Sequence, residues 1–340
     1  MNTKKLPNHQ KILNNANRIA VVRTDRIGDM VLTLPLCNAI KKNFPNAELS
    51  VIARNYTEPL LYKSPALDNY VFTDDFEKGI KDVFTSNKYD AVFFPRPRFD
   101  EAAAAFKAGI SLRIGSGYRA YSIFFNHRVF EHRKSSERHE AEFNTRLLSS
   151  ITDKEYETQL VKPIIDKKYF NSVAEILKEN CIELDDTFII IHPGSGGSAY
   201  DWDAGNFGLT AKTISEKTNA KVIITGIQSE AEKCRIVETN CPGSVNLCSK
   251  INLNEMIALI SKAKLLIANS TGILHIAAAL DIPVVGLYPN APHLSQKRWG
   301  PYSKKAVVLN PPKSSDKNIC DNMSLIAVDE VAEAGIKQLK

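Results

Sequence analysis

The sequence predicts an α/β fold made of two doubly wound, Rossmann-like domains that face a cleft. Three observations support this prediction. The chain has 340 residues, a length that suits two domains of roughly 100 to 200 residues each. Buried-strand patterns alternate with helical patterns in the first half, which is typical of a parallel sheet covered by helices. The same alternation starts again at Phe188.

The first half opens with a strand at residues 18–23 (RIAVVR), followed by the turn TDRIGD and a helical stretch. Pro35 stands inside that stretch, so the helix either kinks there or begins shortly before it. Further strands are predicted near residues 49–55, 69–73 and 89–97. We expect residues 1–17 to form a polar N-terminal extension and residues 18–166 to form the first domain.

The second half, residues 167–340, repeats the pattern with strands at 188–194, 221–226, 265–270 and 283–288. A short strand is expected around residues 161–165, with the hinge close to Pro163 to Lys167. The last amphipathic segment, LIAVDEVAEAGIKQL, follows a crossover (PPKSSDK) and is predicted to be a helix that packs back onto the first domain.

The composition excludes several classes of protein. Hydrophobic residues make up 44% and charged residues 24% of the chain, so each half can bury a core. No run of about 18 apolar residues occurs and the N-terminus is polar, which predicts a cytoplasmic protein. The cysteines form no CxxC pair, and no HExxH or GxxxxGK[ST] pattern occurs. Neither a metal site nor a cofactor is therefore expected.

Basic residues are dense between Arg96 and Arg138, although the net charge is only +6. Such density favours an anionic partner, which can be a phosphorylated lipid, an acidic glycan or a nucleic acid. A solvated basic surface is the alternative, and both interpretations stay open at this point.

The turn after the first strand carries the first candidate residue, Asp29. Gly28 lets the backbone turn tightly, and Asp29 then lies in or beside the first helical turn. A carboxylate in that place can take a proton from an acceptor hydroxyl. A plain helix cap is the alternative interpretation.

The turn after the strand at 188–194 carries a glycine- and serine-rich loop, HPGSGGSA. The loop fits the dinucleotide pattern G-x-G-x-x-G/A only formally, because Trp202 and Asp203 indicate a helix that starts later than that pattern requires. Backbone N–H groups of such a loop can hold phosphate, and an ordinary flexible loop is the alternative.

The turn after the strand at 265–270 opens a helix with small residues, NSTGILH, so a diphosphate can approach the helix N-terminus. His275, one turn into the helix, can reach the same anion, and the alternative is a histidine satisfied within the core. Glu230 stands just past the Gly226 turn, where an acidic residue can bind ribose hydroxyls or simply occupy a first helical turn.

Several segments, taken in order, resemble the ADP-heptose:lipopolysaccharide heptosyltransferase family: RTDRIGDMVLTLPL, RIGSGYR, HEAEFN, HPGSGG with Trp202 after it, NSTGILHIAAAL and PVVGLY. The resemblance covers nearly the whole chain from Arg18 onward. It implies the GT-B fold, an inverting sugar transfer without a metal ion, and a place in lipopolysaccharide core assembly. The same resemblance implies a location at the cytoplasmic face of the inner membrane, with peripheral membrane contact left open.

The resemblance also implies roles for individual residues. Asp29 would be the general base. The donor-binding residues would be Ser195, Gly196, Tyr200, Glu230, Ser270, Thr271, Gly272 and His275. The acceptor-binding residues would be Arg96, Arg98, Arg113 and Arg119. The expected partners are a nucleotide-sugar donor and an anionic glycolipid or glycan acceptor, and no nucleic acid.

Two positions differ from the family pattern. Members commonly carry a lysine two residues before the tryptophan, where this chain has Tyr200, and often an aspartate where it has Ser270. ADP-heptose is therefore an expectation from the resemblance alone. Two other functions stay open: a NAD-dependent oxidoreductase, because of Gly194-Ser195-Gly196, and a non-catalytic glycan-binding relative, because of Tyr200 and Ser270.

Overall fold

The computed structural model describes residues 8–133, 136–316, 319 and 321–340. Residues 1–7 of the predicted N-terminal extension lie outside the described part. The chain divides into two compact units, of which the first comprises residues 1–133 and 140–161. The second comprises residues 134–139 and 162–340, so a short piece from the middle of the chain belongs to the second unit.

The first unit contains an alternating series of helices and strands. Its described elements are α1 (Asn8–Asn14), β1 (Arg18–Val22), α2 (Ile27–Val31), α3 (Leu34–Asn43), β2 (Glu48–Ala53), α4 (Glu58–Leu61), β3 (Asn69–Phe72), α5 (Ile80–Ser86), β4 (Ala91–Phe93), α6 (Phe99–Lys107), β5 (Leu112–Ser116), β6 (His127–Val129) and α7 (Glu140–Thr152). A 3-10 helix, Ala120–Phe124, connects β5 to β6.

The sheet of the first unit is parallel, with strand order β3-β2-β1-β4-β5-β6. Ile19, Ala20 and Val21 of β1 are fully buried, which explains why this strand is apolar on both faces. The chain builds outward from β1 through β2 to β3, then returns to the other side of β1 with β4. The strand order therefore reverses between β1 and β4.

The question left open at Pro35 has a simple structural answer. Two separate helices follow β1: the short α2 ends at Val31, and α3 begins at Leu34 with Pro35 in its first turn. Proline is favoured there because the first N–H groups of a helix have no partner within it. The helix therefore begins just before the proline and is not kinked by it.

The second unit repeats the architecture. Its described elements are α8 (Lys167–Glu179), β7 (Phe188–His192), α9 (Ala204–Thr218), β8 (Lys221–Ile224), α10 (Ala231–Asn240), β9 (Val245–Asn246), α11 (Leu253–Lys262), β10 (Leu265–Asn269), α12 (Gly272–Ala279), β11 (Val284–Leu287), α13 (Gln296–Trp299), β12 (Ala306–Leu309) and α14 (Val328–Gln338). The parallel strand order is β12-β11-β10-β7-β8-β9, which reverses between β7 and β10.

The last helix, α14, corrects the prediction that it packs back onto the first domain. It packs against α9, β10 and β11 of the second unit. Val331 and Ala332 are buried in the core of that unit, and a Cβ on Gly335 would lie 2.7 Å from Cδ1 of Ile214. The amphipathic pattern predicts an apolar helix face, but it does not say which sheet covers that face.

Two predictions about strands also need correction. Residues 161–165 form no strand, since Pro163 lacks an N–H and this segment pairs with neither sheet. Conversely, β5, β6, β9 and β12 were not predicted. These strands are two to five residues long and lie at or beside the sheet edges, so their hydrophobic runs are short.

Candidate functional site

Each sheet places candidate residues where its strand order reverses. In open parallel sheets, ligands bind at such points, beyond the C-terminal ends of the strands. In the first unit, Asp29 lies in α2, directly after the loop that follows β1, and Arg96 lies in the loop that follows β4. In the second unit the loops after β7 and β10 carry Ser195 and Thr271. The three turns singled out by their sequences, and the loop that carries Arg96, therefore lie at the two positions that topology favours for binding.

In the first unit, Asp29 is held by a buried arginine. Arg23 follows β1 directly, and its side chain is only 1% exposed. Its Nη2 donates to Oδ1 of Asp29, and its Nε lies 2.5 Å from Oδ1 of Asp25. Burial alone would lower the pKa of Arg23, but the two facing carboxylates outweigh that effect and raise it. Arg23 is therefore a permanent cation that contacts two carboxylates.

Asp29 itself has a raised pKa. Burial is the largest cause, and the nearby carboxylates of Asp25 and Glu140 add to it, while Arg23 opposes it. Asp29 is the third residue of α2, and the cap position belongs to Arg26. Its carboxylate is bound to Arg23, so the helix-cap alternative does not describe its contacts. A raised pKa makes an ionised carboxylate a stronger proton acceptor.

The four arginines predicted to bind the acceptor have different environments. Arg96 is exposed, and its Nη1 lies 2.6 Å from Oδ2 of Asp25. Arg98 is exposed and lies 3.5 Å from Asp100. Arg119 is also exposed. Arg113 instead donates to the backbone carbonyls of Phe124 and Ile110, so its side chain is used within the fold.

A buried glutamate on α6 joins the loops after β1 and β4. Oε1 of Glu101 accepts a hydrogen bond from the Thr24 hydroxyl, and Oε2 accepts one from the Arg98 N–H at 3.2 Å. Burial raises the pKa of Glu101 to about 7. The glutamate thus links the turn that carries Asp29 to the loop that carries Arg96 and Arg98.

The HEAEFN segment contributes a second buried glutamate to the first unit. Glu140 pairs with Arg133, whose Nη1 also donates to Oδ1 of Asn144 at 3.2 Å. Nδ2 of Asn144 donates to the carbonyl of Leu32, just after α2, at 2.9 Å. This segment therefore fixes the far end of the helix on which Asp29 lies.

In the second unit, a fully buried asparagine ties the two strand-end loops together. Oδ1 of Asn269 accepts from the Trp202 N–H at 2.9 Å, and its Nδ2 donates to the Pro193 carbonyl at 2.8 Å. Ser198 adds another link, because its hydroxyl lies 3.1 Å from the Ser270 carbonyl. The glycine-rich loop is thereby held against the start of α12.

Glu230 braces the glycine-rich loop. Its Oε1 accepts from the Gly196 N–H at 2.9 Å and its Oε2 from the Ile227 N–H at 3.0 Å. A Cβ on Gly194 would lie 1.9 Å from Oε1 of Glu230, so only glycine fits there. Ser195, buried beside it, donates to the Ala199 carbonyl at 3.3 Å. A carboxylate has further lone pairs, so these two bonds do not exhaust the hydrogen bonds that Glu230 can accept.

The start of α12 has the features of an anion site. Thr271 is the N-cap residue but makes no side-chain capping bond, and Gly272 begins the helix. The first N–H groups of a helix have no partner within it and carry a partial positive charge. Nδ1 of His275, one turn in, is buried without a hydrogen-bond partner. Burial, assisted by His139, lowers the pKa of His275 to about 3.

The exposed Tyr200 stands next to an ion pair. Asp201 pairs with Lys233 of α10 and lies 3.4 Å from Nδ2 of Asn269. After this pair, Trp202 is buried, and α9 begins at Ala204 with Asp203 as its cap. Nine loop residues, 195–203, therefore separate Gly194 from α9, whereas the dinucleotide pattern requires the helix to begin within the pattern.

Sequence reasoning missed Arg23, Glu101 and Asn269 as site residues. An arginine at the end of an apolar strand was a usable signal, since burying its charge requires carboxylate partners nearby. Glu101 and Asn269 gave no comparable signal, because their roles depend on contacts between distant parts of the chain. Among the described residues, no group of three or more His, Cys, Asp or Glu side chains is arranged to hold a metal ion.

Residues 80–324, more than half of the chain, match the sequence profile of glycosyltransferase family 9 (heptosyltransferase). The chain belongs to glycosyltransferase family 9. The predicted family is confirmed, and with it the prediction that the protein is a glycosyltransferase. A NAD-dependent oxidoreductase is not supported. Asp29 precedes the matched range, so its role depends on the geometry described above.

Known proteins resemble this chain over most of its length. A putative glycosyltransferase of Haemophilus influenzae is 26% identical over 328 residues, covering 92% of this chain and 94% of the relative. Lipopolysaccharide heptosyltransferase 3 of Escherichia coli is 22% identical, covering 80% of this chain and 83% of the relative.

Solved structures confirm the fold class of this family 9 member. A family 9 glycosyltransferase from Veillonella parvula gives a TM-score of 0.84 at 19% identity, covering 96% of this chain and 98% of that structure. The ADP-heptose lipopolysaccharide heptosyltransferase II of E. coli gives 0.79 at 20% identity, covering 95% and 98%. The predicted two doubly wound α/β halves of the GT-B class therefore match known structures. Within the described ranges, no helix is both long and apolar enough to cross a bilayer.

Proposed function

We propose that this family 9 glycosyltransferase transfers a heptose from ADP-heptose to a lipopolysaccharide core or a related acidic glycolipid. The domain of residues 18–166 binds the acceptor, and the domain of residues 167–340 binds the donor. The names of the relatives support the choice of sugar and acceptor. The reaction takes place at the cytoplasmic face of the inner membrane, where such an acceptor is assembled.

The observation that carries this proposal is the Asp29 carboxyl, held on Arg23 at the end of β1. Asp29 removes the proton from the acceptor hydroxyl as that oxygen attacks the anomeric carbon. The bond from that carbon to the diphosphate breaks in the same displacement, which inverts the configuration. The burial that raises the pKa of Asp29 makes it a better proton acceptor than an exposed aspartate.

The leaving diphosphate binds at the start of α12 in this proposal. Negative charge grows on the phosphate oxygen as the bond breaks, and the N–H groups at residues 271–273 stabilise that charge. With its pKa at about 3, His275 is neutral at pH 7, so it contributes an N–H donor and no full charge. This arrangement requires no metal ion, and the proposed transfer should proceed in the presence of a chelator.

Ser195, Gly196 and Ser270 line the donor site around that helix start, Glu230 meets the ribose, and Tyr200 covers the rim. Arg96, Arg98 and Arg119 bind the phosphates or acidic sugars of the acceptor, because each is exposed and positively charged. Arg113 contributes to the fold, as its donors are bound to carbonyls.

The test is the substitution Asp29→Asn, which keeps the shape of the side chain and removes the base. We expect transfer to fall by about 10²- to 10⁴-fold, with ADP affinity nearly unchanged. The matched control is Asp25→Asn, which removes a carboxylate from the same arginine but leaves Asp29 in place. Equal losses in both variants would show that charge balance, and not proton removal, is what Asp29 provides.

The alternative of a non-catalytic glycan-binding protein is not supported, because the chain belongs to a family of glycosyltransferases. Release of ADP from ADP-heptose, measured with and without the acceptor, separates sugar transfer from hydrolysis of the donor.

A further inference from the structure

Large apolar side chains are exposed together on one part of the first unit. Phe99 is 62%, Phe106 50% and Ile123 66% exposed. Phe99 and Phe106 lie at the two ends of α6, and Ile123 lies in the 3-10 helix Ala120–Phe124 that packs on α6. Three large apolar side chains exposed close together indicate an interaction surface.

Ring contacts join these residues into one surface. The ring centroid of Phe99 lies 6.0 Å from those of Tyr121 and Phe124, and the Phe106 centroid lies 5.4 Å from that of Phe124. We call this the aromatic surface; its residues are Phe99, Phe106, Tyr121, Ile123 and Phe124.

The charges around the aromatic surface are mostly positive. Between residues 96 and 124 the chain has five basic residues and two acidic ones, Asp100 and Glu101. Glu101 is buried, while Arg98, Lys107 and Arg119 are exposed beside the aromatic residues in the sequence. Exposed cations next to aromatic side chains are typical of segments that bind at the surface of an anionic membrane.

We propose that the aromatic surface docks against an anionic lipid bilayer. Aromatic rings are favoured at the boundary between head groups and acyl chains, because one side is apolar and the other tolerates water. Phe99, Phe106 and Ile123 enter that boundary, and Arg98, Lys107 and Arg119 meet lipid phosphates. Another protein fits less well, because three exposed apolar side chains bordered by exposed cations give a small area for a stable protein interface.

A hydrogen bond connects the aromatic surface to the loop after β4, which carries Arg96 and Arg98. The Tyr121 hydroxyl donates to the Pro97 carbonyl at 2.6 Å, between Arg96 and Arg98. Arg96 in turn pairs with Asp25, which shares Arg23 with Asp29. Docking would therefore bring the loop beside the proposed base to the membrane that carries a glycolipid. Only this last step depends on the proposed function.

Sedimentation with lipid vesicles tests the proposal. We expect the parent chain to bind vesicles of phosphatidylcholine with about 30% phosphatidylglycerol at least about tenfold more tightly than vesicles of phosphatidylcholine alone. The double variant Phe99→Ser/Ile123→Ser should lose about tenfold or more of that binding. The double variant Lys107→Gln/Arg119→Gln should lose the preference for anionic vesicles.

The matched control is Leu209→Ser, which removes an apolar side chain that is 45% exposed on α9 of the second unit. It should bind vesicles within about twofold of the parent. The midpoint of urea unfolding, measured on every variant, reports whether the fold is intact. Asp29→Asn should bind vesicles normally, so a failure of the proposed function leaves this test unaffected.

Three outcomes would overturn the proposal. The first is that the parent chain fails to sediment with anionic vesicles, and the second is that Phe99→Ser/Ile123→Ser binds them as the parent does. The third is that the parent forms a dimer that this double variant dissociates, since the aromatic surface would then be an interface between two copies.

Discussion

The loops at the end of β1 and at the start of α12 are built from different chemistry. At the end of β1, four ionisable side chains contact one another: Arg23, Asp25, Asp29 and Arg96. At the start of α12, the polar groups are backbone N–H groups, hydroxyls and the neutral His275. The difference teaches what each loop must do in the proposed reaction. A base changes its protonation state, so nearby charges must set its pKa, whereas a diphosphate is already charged and needs only donors.

The largest expected effect is that of removing the buried cation, with Arg23→Met. The substitution leaves Asp25 and Asp29 without their buried partner, so the free energy of unfolding should fall by about 3 to 5 kcal/mol. Urea unfolding measures the loss. The matched control is Arg54→Met, which breaks the more exposed pair with Asp74 and should cost less than about 1 kcal/mol. Similar losses of stability for the two variants would show that the buried Arg23 pairs stabilise the fold no more than an exposed pair does.

The next largest effect is a dependence of stability on pH that is caused by Glu101 in the first unit. The pKa of Glu101 is raised to about 7 from 4.5, so folding favours its protonated form. Its contribution to stability is complete below about pH 4.5 and is lost as the pH rises through 7, by up to about 3 kcal/mol. Glu101→Gln should remove this decline, because the amide stays neutral at every pH. Its oxygen can still accept from the Arg98 N–H, and its NH2 group can donate to the Thr24 hydroxyl oxygen.

Urea unfolding of the parent and Glu101→Gln between pH 5 and 8 checks this prediction. Glu232→Gln is the control, since Glu232 is a glutamate on the exposed surface of α10 and its pKa is lowered by Arg235. The control should parallel the parent over this range. A parent and a Glu101→Gln variant with parallel curves would show that Glu101 stays ionised in the folded protein.

A smaller effect is expected from steric change in the second unit. Gly194→Ala places a methyl group against Oε1 of Glu230 and should displace the glycine-rich loop. We expect about 1 to 3 kcal/mol of lost stability and at least about tenfold weaker ADP binding, both independent of pH near neutrality. Gly196→Ala is the control, because its φ is +57° but nothing lies within 4 Å of a Cβ there. That variant should cost about 1 kcal/mol from backbone strain alone.

Calorimetric titration with ADP separates the two glycine variants. A weaker effect of Gly194→Ala than of Gly196→Ala would mean that the contact with Glu230 does not position the loop.

The smallest effect is expected from removing one neutral hydrogen-bond donor, the imidazole of His275. His275→Phe removes the Nδ1 and Nε2 groups but keeps the apolar bulk, so ADP affinity at pH 7 should fall by about five- to tenfold. The exposed His293, in the same unit, provides the control variant His293→Phe. A loss much larger than tenfold would indicate that His275 carries a charge when ADP is bound, contrary to the neutral chemistry assigned to this loop.

Much of the fold could be predicted because apolar runs such as RIAVV and FIIIH are buried on both faces. The short outer strands β6, β9 and β12 could not, since two to four residues give little periodic signal. The position of α14 also escaped prediction, because an amphipathic helix fits any apolar sheet face of suitable shape.

Site residues could be predicted where they lie in a glycine-containing turn after a buried strand. They could not be predicted where their role depends on a partner that is distant in the sequence. Gly28-Asp29 and Thr271-Gly272 were found because they follow buried strands. Glu101 acts through Thr24, and Asn269 acts through Pro193, each more than 70 positions away. The sequence does not display such pairings, so their roles became visible only once the strands were in order.

The four residues 136–139 have a practical consequence for dissecting this enzyme. Ser136 and His139 are bound to the carbonyls of Pro292 and Gly300, although the chain on both sides of residues 134–139 belongs to the first unit. A fragment starting at residue 162 would lack both side chains, including the histidine that helps keep His275 neutral. One proteolytic cut or one truncation therefore cannot yield a complete second unit, and recombinant halves must restore this peptide separately.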